Sequence, residues 1–288
     1  MKIILAKNIG LCFGVNNAFE LVKLITRKKN VLILGALAHN STIENQLEKW
    51  GVKNISNLNS IKKNDSIIIT AHGISPKIKQ SIINKGAEII DTTCPRVAKI
   101  HNLVRLYDRS KYQIIIFGDK NHKEVLGIIG NCSHIPFIIN NINEAKIACK
   151  KLNIHKPVLL LSQTTQNQIT YHKISAIIEK FCQKQHIIFK TFFTICDSSS
   201  KRQAEIQILA QKNDAVIIIG GIESANTKRL YEVAKNINNN TFLINKLDSK
   251  TKNMLKTNLA KLQNIAIASG ASTPMIEVNN LIDYLKSL

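Results

Sequence analysis

A repeated unit constrains the fold of this chain more than any other sequence feature. The unit is a short run of β-branched residues, then a small or polar cluster, then a segment with helical periodicity. Examples are Ser66–Thr70 before Ala71-His72-Gly73 and Ala215–Ile219 before Gly220-Gly221. Strands that alternate with helices form mostly parallel sheets. The sequence therefore predicts an α/β protein.

The repeat predicts ten strands and three α/β lobes with mostly parallel sheets. The strands are Ile3–Ala6, Val31–Leu34, Ser66–Thr70, Glu88–Asp91, Gln113–Phe117, Pro136–Ile139, Val158–Leu161, Phe192–Ile195, Ala215–Ile219 and Ile265–Ala268. We place the lobes at residues 1–96, 97–195 and 196–288. Ligands bind beyond the carboxyl ends of parallel strands, where most of the polar clusters fall. We therefore expect the three lobes to face one shared cleft.

Composition and charge exclude several function classes. Hydrophobic residues make up 44% and aromatic residues 5% of the 288 residues, which is typical of a folded protein. No apolar run reaches the ~18 residues that span a bilayer, and the N terminus lacks the apolar core of a signal peptide. We expect a cytoplasmic protein without a membrane partner. The net charge of +21 is spread over the whole chain, which does not indicate specific nucleic-acid binding.

Three of the six cysteines share one context. Cys12, Cys94 and Cys196 each follow a predicted strand closely and precede a helix, where the helix N terminus stabilises a thiolate. Three converging thiolates would bind a metal ion or a cluster, and three buried structural cysteines are the alternative. The other three lie in a loop or inside helices and are interpreted as structural: Cys132, Cys149 and Cys182.

Histidines mark the same strand ends. His39, His72 and His122 each follow a strand in a polar cluster and indicate a pocket that holds an anion and moves protons. Glu124 lies close to His122 in the sequence. Its carboxyl would donate a proton if burial raised its pKa, and otherwise it is a solvated residue of the first helical turn.

Small hydrogen-bonding residues occupy further strand–helix junctions. They are Thr164, Ser224, Asn226, Thr227 and Ser272. Such side chains, together with backbone N–H groups, can surround a phosphate without a nucleotide-type loop. Helix capping alone explains one or two of them.

Motifs in a fixed order extend over the whole chain. They are Gly10-Leu11-Cys12-Phe13-Gly14-Val15, His39-Asn40, Ala71-His72-Gly73, Asp91-Thr92-Thr93-Cys94-Pro95, Gly118, His122-x-Glu124-Val125 with Gly127, Ser162-Gln163-Thr164-Thr165, Ile195-Cys196, Arg202-Gln203, Ser224-x-Asn226-Thr227 and Ala268-Ser269-Gly270-Ala271-Ser272-x-Pro274. In order and spacing they resemble the 4-hydroxy-3-methylbut-2-enyl diphosphate reductases, the LytB family.

The resemblance implies three lobes around one central 4Fe–4S cluster and a two-electron removal of the substrate's hydroxyl group. The products are isopentenyl diphosphate and dimethylallyl diphosphate, at the last step of the non-mevalonate isoprenoid pathway. By position Cys12, Cys94 and Cys196 match the cluster ligands, and the apical iron has no protein ligand. A ferredoxin or flavodoxin, with its reductase, is the implied electron donor.

The resemblance also implies roles for the polar residues. Glu124 matches the proton donor, and Thr164 matches the residue that positions the hydroxyl group and relays the proton. The residues that match the diphosphate-binding set, with His122 lining the same pocket, are His39, His72, Ser224, Asn226 and Ser272.

Three departures from the family pattern carry expectations. Ala225 replaces a second serine, so one hydroxyl group to the diphosphate is absent. Lys123 replaces a proline and is expected to shift Glu124 or to lower its pKa through its charge. The segment after Cys196, Asp197-Ser198-Ser199-Ser200, is more polar than usual.

Two alternatives stay open at this stage. One is an RNA-binding protein with a zinc site of cysteines and histidines, and it predicts zinc and salt-dependent binding. The other is a 4Fe–4S dehydratase, which turns over without a reductant.

Overall fold

A computed structural model describes residues 1–26 and 31–288. Its strands are β1 (Lys2–Leu5), β2 (Val31–Leu34), β3 (Lys53–Ile55), β4 (Ser66–Ile69), β5 (Glu88–Asp91), β6 (Gln113–Phe117), β7 (Phe137–Ile139), β8 (Val158–Ser162), β9 (Phe189–Thr191), β10 (Ala215–Ile219), β11 (Thr241–Ile244) and β12 (Asn264–Ser269).

Its helices connect these strands. They are α1 (Phe13–Thr26), α2 (Ser41–Lys49), α3 (Pro76–Asn84), α4 (Pro95–Arg109), α5 (Lys123–Ile129), α6 (Ile142–Lys151), α7 (Gln168–Lys184), α8 (Asp197–Lys212), α9 (Ala225–Lys235), α10 (Ser249–Leu259) and α11 (Met275–Lys286). A short 3₁₀ helix spans Leu58–Ser60. Among the described residues no helix combines the length and the apolar character that crossing a membrane requires.

The strands form three four-stranded sheets. Their orders are β1-β12-β10-β11, β3-β2-β4-β5 and β7-β6-β8-β9. Every neighbouring pair is parallel. The predicted α/β class with three parallel-sheet lobes is therefore confirmed.

The central strands are continuously apolar because helices cover both faces of each sheet. In β10, Ile217 packs into one core cluster and Ile218 into another. In β8, likewise, Leu160 packs into one core cluster and Leu161 into another. Burial on both faces is the usual condition of parallel strands, and it explains why these runs lack a polar alternation.

The chain divides into two compact units. The first unit comprises Met1–Phe19, Ala36–Trp50 and Asp197–Leu288, and the second comprises Glu20–Gly35 and Gly51–Cys196. Strand β1 pairs with β12, so the N-terminal strand shares a sheet with strands from the end of the chain. The lobe boundaries at residues 96 and 195 stay a prediction.

One predicted strand is wrong in position. The ladder with β8 is made by β9, Phe189–Thr191, and not by Phe192–Ile195. Thr194 explains where the ladder ends, because its hydroxyl accepts the Ser162 N–H at 2.7 Å and donates to the Ser162 carbonyl at 2.7 Å. A side chain thus replaces the backbone partner beside the last residue of β8. Strands β3 and β11 were not predicted.

Candidate functional site

Glu124 and Thr164 form the most closely bonded pair of predicted site residues, and both belong to the second unit. Glu124 lies in the first turn of α5 and is 2% exposed. Thr164 follows β8 and donates to the carboxylate twice, from its backbone N at 2.7 Å and from Oγ1 at 2.7 Å. The pairing of β6 with β8 brings the two strand ends together. The structure thus brings together a carboxyl and a hydroxyl group that the sequence analysis singled out separately.

Burial raises the pKa of Glu124 from 4.5 to about 7. The hydrogen bonds from Thr164 lower this pKa, and the negative charge of Asp119 raises it further. The carboxyl is therefore close to half protonated at neutral pH, which suits a group that donates a proton. Lys123 is exposed, and its charge is not among the causes of this pKa shift. The expected lowering of the Glu124 pKa by Lys123 is therefore not observed, and the expected shift of the Glu124 position stays a prediction.

Two histidine rings lie in contact in the second unit, and one of them is hydrogen-bonded to the backbone of Glu124. His122 is the N-cap of α5, and its Nδ1 accepts the Glu124 N–H at 3.2 Å. A neutral His122 ring therefore carries its hydrogen on Nε2. The His72 ring meets the His122 ring edge-on, with centroids 5.3 Å apart. Gly127 allows this approach, since a Cβ there would lie 3.2 Å from the His72 carbonyl oxygen.

Two of the three predicted ligand cysteines also belong to the second unit. Cys94 precedes α4 and donates its backbone N–H to Ala71 at 3.1 Å. Cys196 donates its backbone N–H to the Thr164 carbonyl at 3.0 Å. Both cysteines are half-buried. The loops that carry His72 and Thr164 are thus hydrogen-bonded to the residues that carry the thiols.

The first unit holds the third cysteine and the remaining polar residues. Cys12 directly precedes α1, is half-buried, and donates its backbone N–H to Ala271 at 2.8 Å, next to Ser272. His39 contributes a close backbone contact, since a Cβ on Gly221 would lie 1.8 Å from its carbonyl oxygen. The loops after β1, β10 and β12 therefore meet at the carboxyl edge of one sheet.

Buried polar atoms without a partner mark this edge. Within residues 1–26 and 31–288, Asn226 Nδ2, Thr227 Oγ1 and Ser272 Oγ are buried and make no hydrogen bond. Ser224 Oγ caps α9 by accepting the Thr227 N–H at 3.4 Å. Native proteins seldom leave such atoms unsatisfied, so this cluster fits a polar ligand such as a phosphate oxygen.

The cysteines fit an iron–sulfur group by donor chemistry. Cys12, Cys94 and Cys196 are half-buried thiols directly before helices, and cysteine sulfur is the usual protein ligand of iron–sulfur clusters. Across the part of the chain that the structure describes, no three His, Cys, Asp or Glu side chains form a site for a single metal ion.

The remaining cysteines support the structural interpretation. Burial raises the pKa of the Cys132 thiol to about 12, and the pKa of Cys182 to about 11. Cys149 and Cys182 belong to the core cluster of the β6–β8 sheet. Thiols with a raised pKa are poor metal ligands at neutral pH, because the thiolate is the ligand.

Two contributors to the site were missed. Asp119 raises the pKa of Glu124, and its position directly after the β6 end was the available signal. Ser199 donates from Oγ to Asn226 Oδ1 at 3.4 Å, which orients the amide. The unusual polarity of the segment after Cys196 was the signal for Ser199.

Comparison with known proteins identifies relatives over the whole chain. Residues 3–286 match the family model described as LytB protein. The chain is 35% identical to the 4-hydroxy-3-methylbut-2-enyl diphosphate reductase of Caldanaerobacter subterraneus subsp. tengcongensis, with 100% of this chain and 98% of the relative covered. It is 34% identical to the protein of the same name from Clostridioides difficile, with 100% of both covered.

Solved structures agree with these matches. The structure of the E-1-hydroxy-2-methyl-but-2-enyl-4-diphosphate reductase from Plasmodium falciparum is similar with a TM-score of 0.86 and 30% identity, over 99% of this chain and 87% of that chain. A second, described as (E)-4-hydroxy-3-methyl-but-2-enyl diphosphate reductase, the terminal enzyme of the non-mevalonate pathway, has a TM-score of 0.68 and 31% identity over 100% of both chains.

Proposed function

This chain belongs to the LytB family, and from that premise we propose that it is a 4-hydroxy-3-methylbut-2-enyl diphosphate reductase with an iron–sulfur cofactor. The reaction takes two electrons and two protons, breaks the carbon–oxygen bond of the hydroxyl group and releases water. The products are isopentenyl diphosphate and dimethylallyl diphosphate, at the last step of the non-mevalonate pathway.

The buried carboxyl of Glu124 is the observation that carries the proposal. The reaction needs a group that is protonated near neutral pH and excluded from bulk water. Glu124 is 2% exposed and burial raises its pKa to about 7. We assign to it the role of proton donor to the departing hydroxyl group.

Thr164 relays this proton in our proposal. Its Oγ1 lies 2.7 Å from Glu124 Oε2. A hydroxyl group both accepts and donates. When Glu124 is protonated at Oε2, the carboxyl donates to Oγ1 and the Thr164 hydrogen turns toward the substrate. The second hydrogen bond, from the Thr164 backbone N–H to Oε1, fixes the carboxyl orientation.

The diphosphate-binding role falls to six residues in the proposal. They are His39, His72, His122, Ser224, Asn226 and Ser272. Support comes from the unpartnered Asn226 Nδ2 and Ser272 Oγ, which are donors to an anionic oxygen. Anchoring the unreactive end of the substrate fixes the reactive end, which lowers the entropic part of the barrier.

We further propose that Cys12, Cys94 and Cys196 bind one 4Fe–4S cluster per chain, with an apical iron that has no protein ligand. When bound, such a cluster supplies electrons and a Lewis-acidic iron. The three thiols would supply its protein ligands from positions directly before helices.

The electron donor is proposed to be a small acidic carrier of the ferredoxin or flavodoxin type. The net charge of +21 favours encounter with an acidic partner. Such a donor also agrees with the cytoplasmic location predicted from the sequence.

Anaerobic reconstitution with iron and sulfide tests the proposal directly. We expect about four irons per chain, the number a 4Fe–4S cluster contains, and reduction of the hydroxylated diphosphate with dithionite and a mediator. The Glu124→Gln variant should retain the iron content and lose turnover. Zinc in place of iron would support an RNA-binding metal protein, and turnover without reductant would support a dehydratase. Either outcome overturns the proposal.

A further inference from the structure

One face of α8 binds the chain segment that leads into Cys12. The carboxylate of Glu205 accepts the backbone N–H groups of Lys7 and Asn8, the latter at 3.0 Å. It also accepts the side-chain amide of Asn8 at 2.9 Å. Although burial opposes it, these hydrogen bonds hold the pKa of Glu205 below its usual range. The carboxylate is therefore ionised while it binds the segment.

Arg202 binds the carbonyl groups of the same segment. Its guanidinium donates to the Asn8 carbonyl at 2.6 Å and to the Gly10 carbonyl at 2.8 Å. A third hydrogen bond, at 3.0 Å, goes to the Ser269 carbonyl. Arg202 is 5% exposed. The planar guanidinium, with five donors in a fixed arrangement, suits several carbonyl groups at once.

The acceptors of Arg202 belong to two loops of the first unit. One runs from the end of β1 to Cys12, and the other runs from Ser269 to Ser272. The loops also bond to each other, since Gly10 N donates to Ser269 Oγ at 2.8 Å and Cys12 N donates to Ala271 O at 2.8 Å. Arg202 is therefore placed to hold the loop that leads to Cys12 (the cysteine loop) against the loop from Ser269 to Ser272 (the serine loop).

Spacing on α8 makes this arrangement possible. Residues three positions apart lie on one helix face, so Arg202 and Glu205, which have opposite charges, both contact the same segment. The arginine binds carbonyl groups and the glutamate binds N–H groups. Ser199, one turn earlier, donates to Asn226. This face of α8 thus contacts three segments that carry predicted site residues.

We propose that Arg202 and Glu205 are positioning residues. They act through the backbone of residues 7–10 and hold Cys12 in the position from which its thiol can bind the cluster. The inference rests on the proposed function only for the role of Cys12 as a cluster ligand. Neither residue has to touch substrate or cluster.

The rate of Cys12 alkylation in the cluster-free protein tests the proposal. Each protein is treated with iodoacetamide under anaerobic conditions, and every cysteine is quantified by peptide mass spectrometry. The variants are Arg202→Met, Arg202→Lys and Glu205→Gln. Lys201→Met is the matched control, because Lys201 is an exposed cation on the same helix. The core thiols Cys149 and Cys182 lie in the second unit and report on loosening that extends beyond the first unit.

Loss of several charged hydrogen bonds should release the cysteine loop. We expect Arg202→Met to raise the Cys12 rate by about tenfold or more, since hydrogen bonds to charged groups are the stronger ones. Arg202→Lys should give a smaller rise, because lysine keeps the charge and lacks the planar donor array. Glu205→Gln should also raise the rate, since an amide nitrogen cannot accept one of the two backbone N–H groups.

Two results would overturn the proposal. The first is an unchanged Cys12 rate in Arg202→Met and Glu205→Gln. The second is an equal rise at Cys149 and Cys182 in both variants, which would indicate general loosening rather than local positioning. Failure of the proposed function is distinguishable, because the wild-type protein would then lack iron or reductase activity whatever the alkylation rates.

Discussion

Replacing Glu124 by glutamine is expected to change the pH dependence of stability as well as turnover. Burial raises the pKa of this carboxyl from 4.5 to about 7. Each pH unit of difference corresponds to about 1.4 kcal/mol, so the protonated form is favoured in the folded protein by about 3 kcal/mol. Glutamine is neutral at every pH and nearly the same shape, so it keeps the volume and removes the titration.

The sign follows from proton binding. Between the unfolded and folded pKa values the folded protein holds a proton that the unfolded chain has released. The contribution is therefore fully present below the unfolded value of 4.5 and is lost as the pH rises through about 7. Relative to wild type, Glu124→Gln should gain about 3 kcal/mol in unfolding free energy between about pH 4 and about pH 8.

Urea unfolding of the cluster-free protein at the two pH values measures this gain, with turnover of the loaded protein measured in parallel. Glu44→Gln is the matched control, because Glu44 is an exposed glutamate in the first turn of α2. Turnover should fall by about 10²- to 10⁴-fold in Glu124→Gln, as for loss of a general acid. A stability difference that does not change with pH, or near-normal turnover, would refute the reasoning.

Four further variants test residues elsewhere in the chain. Ser272→Ala removes a buried hydroxyl that has no partner, so it should raise the unfolding free energy by about 1 kcal/mol or more while raising KM for the diphosphate. Gly221→Ala places a Cβ 1.8 Å from the His39 carbonyl oxygen, and thermal unfolding should show a loss of roughly 1–3 kcal/mol. Cys132→Ser should leave the iron content per chain unchanged, whereas Cys12→Ser should lower it.

Every central strand was predicted from the sequence, whereas the strands that were missed or misplaced lie at sheet edges. Strands β6, β8 and β10 are buried on both faces and stand out as apolar runs. The unpredicted strands β3 and β11 lie at sheet edges. Edge strands pair on one side only, so their sequences need not be continuously apolar. The position of β9 depended on the Thr194 hydroxyl, which no periodicity reveals.

The site residues were predicted individually, and their arrangement was not. Thr164 lies forty positions after Glu124 in the sequence, and their contact depends on the adjacency of β6 and β8. The raised pKa of Glu124 depends on its burial. A position in the first turn of a helix does not show from the sequence whether the side chain is buried. Lys123 shows the limit of reasoning from neighbours in sequence, since helix geometry leaves it exposed.

Ser272 and Glu124 are buried polar residues that each lower the stability of the fold when no ligand is bound. Comparison with Thr273 supports a functional reason for keeping such residues. Thr273 is even more deeply buried than Ser272, yet its Oγ1 donates to the Ile219 carbonyl at 3.1 Å. Thr273→Val should therefore destabilise the protein, whereas Ser272→Ala should stabilise it. Stabilisation by Glu124→Gln should appear only as the pH rises, because that penalty is one of charge. If substrate accounts for both, Ser272→Ala should act mainly on KM, and Glu124→Gln mainly on kcat.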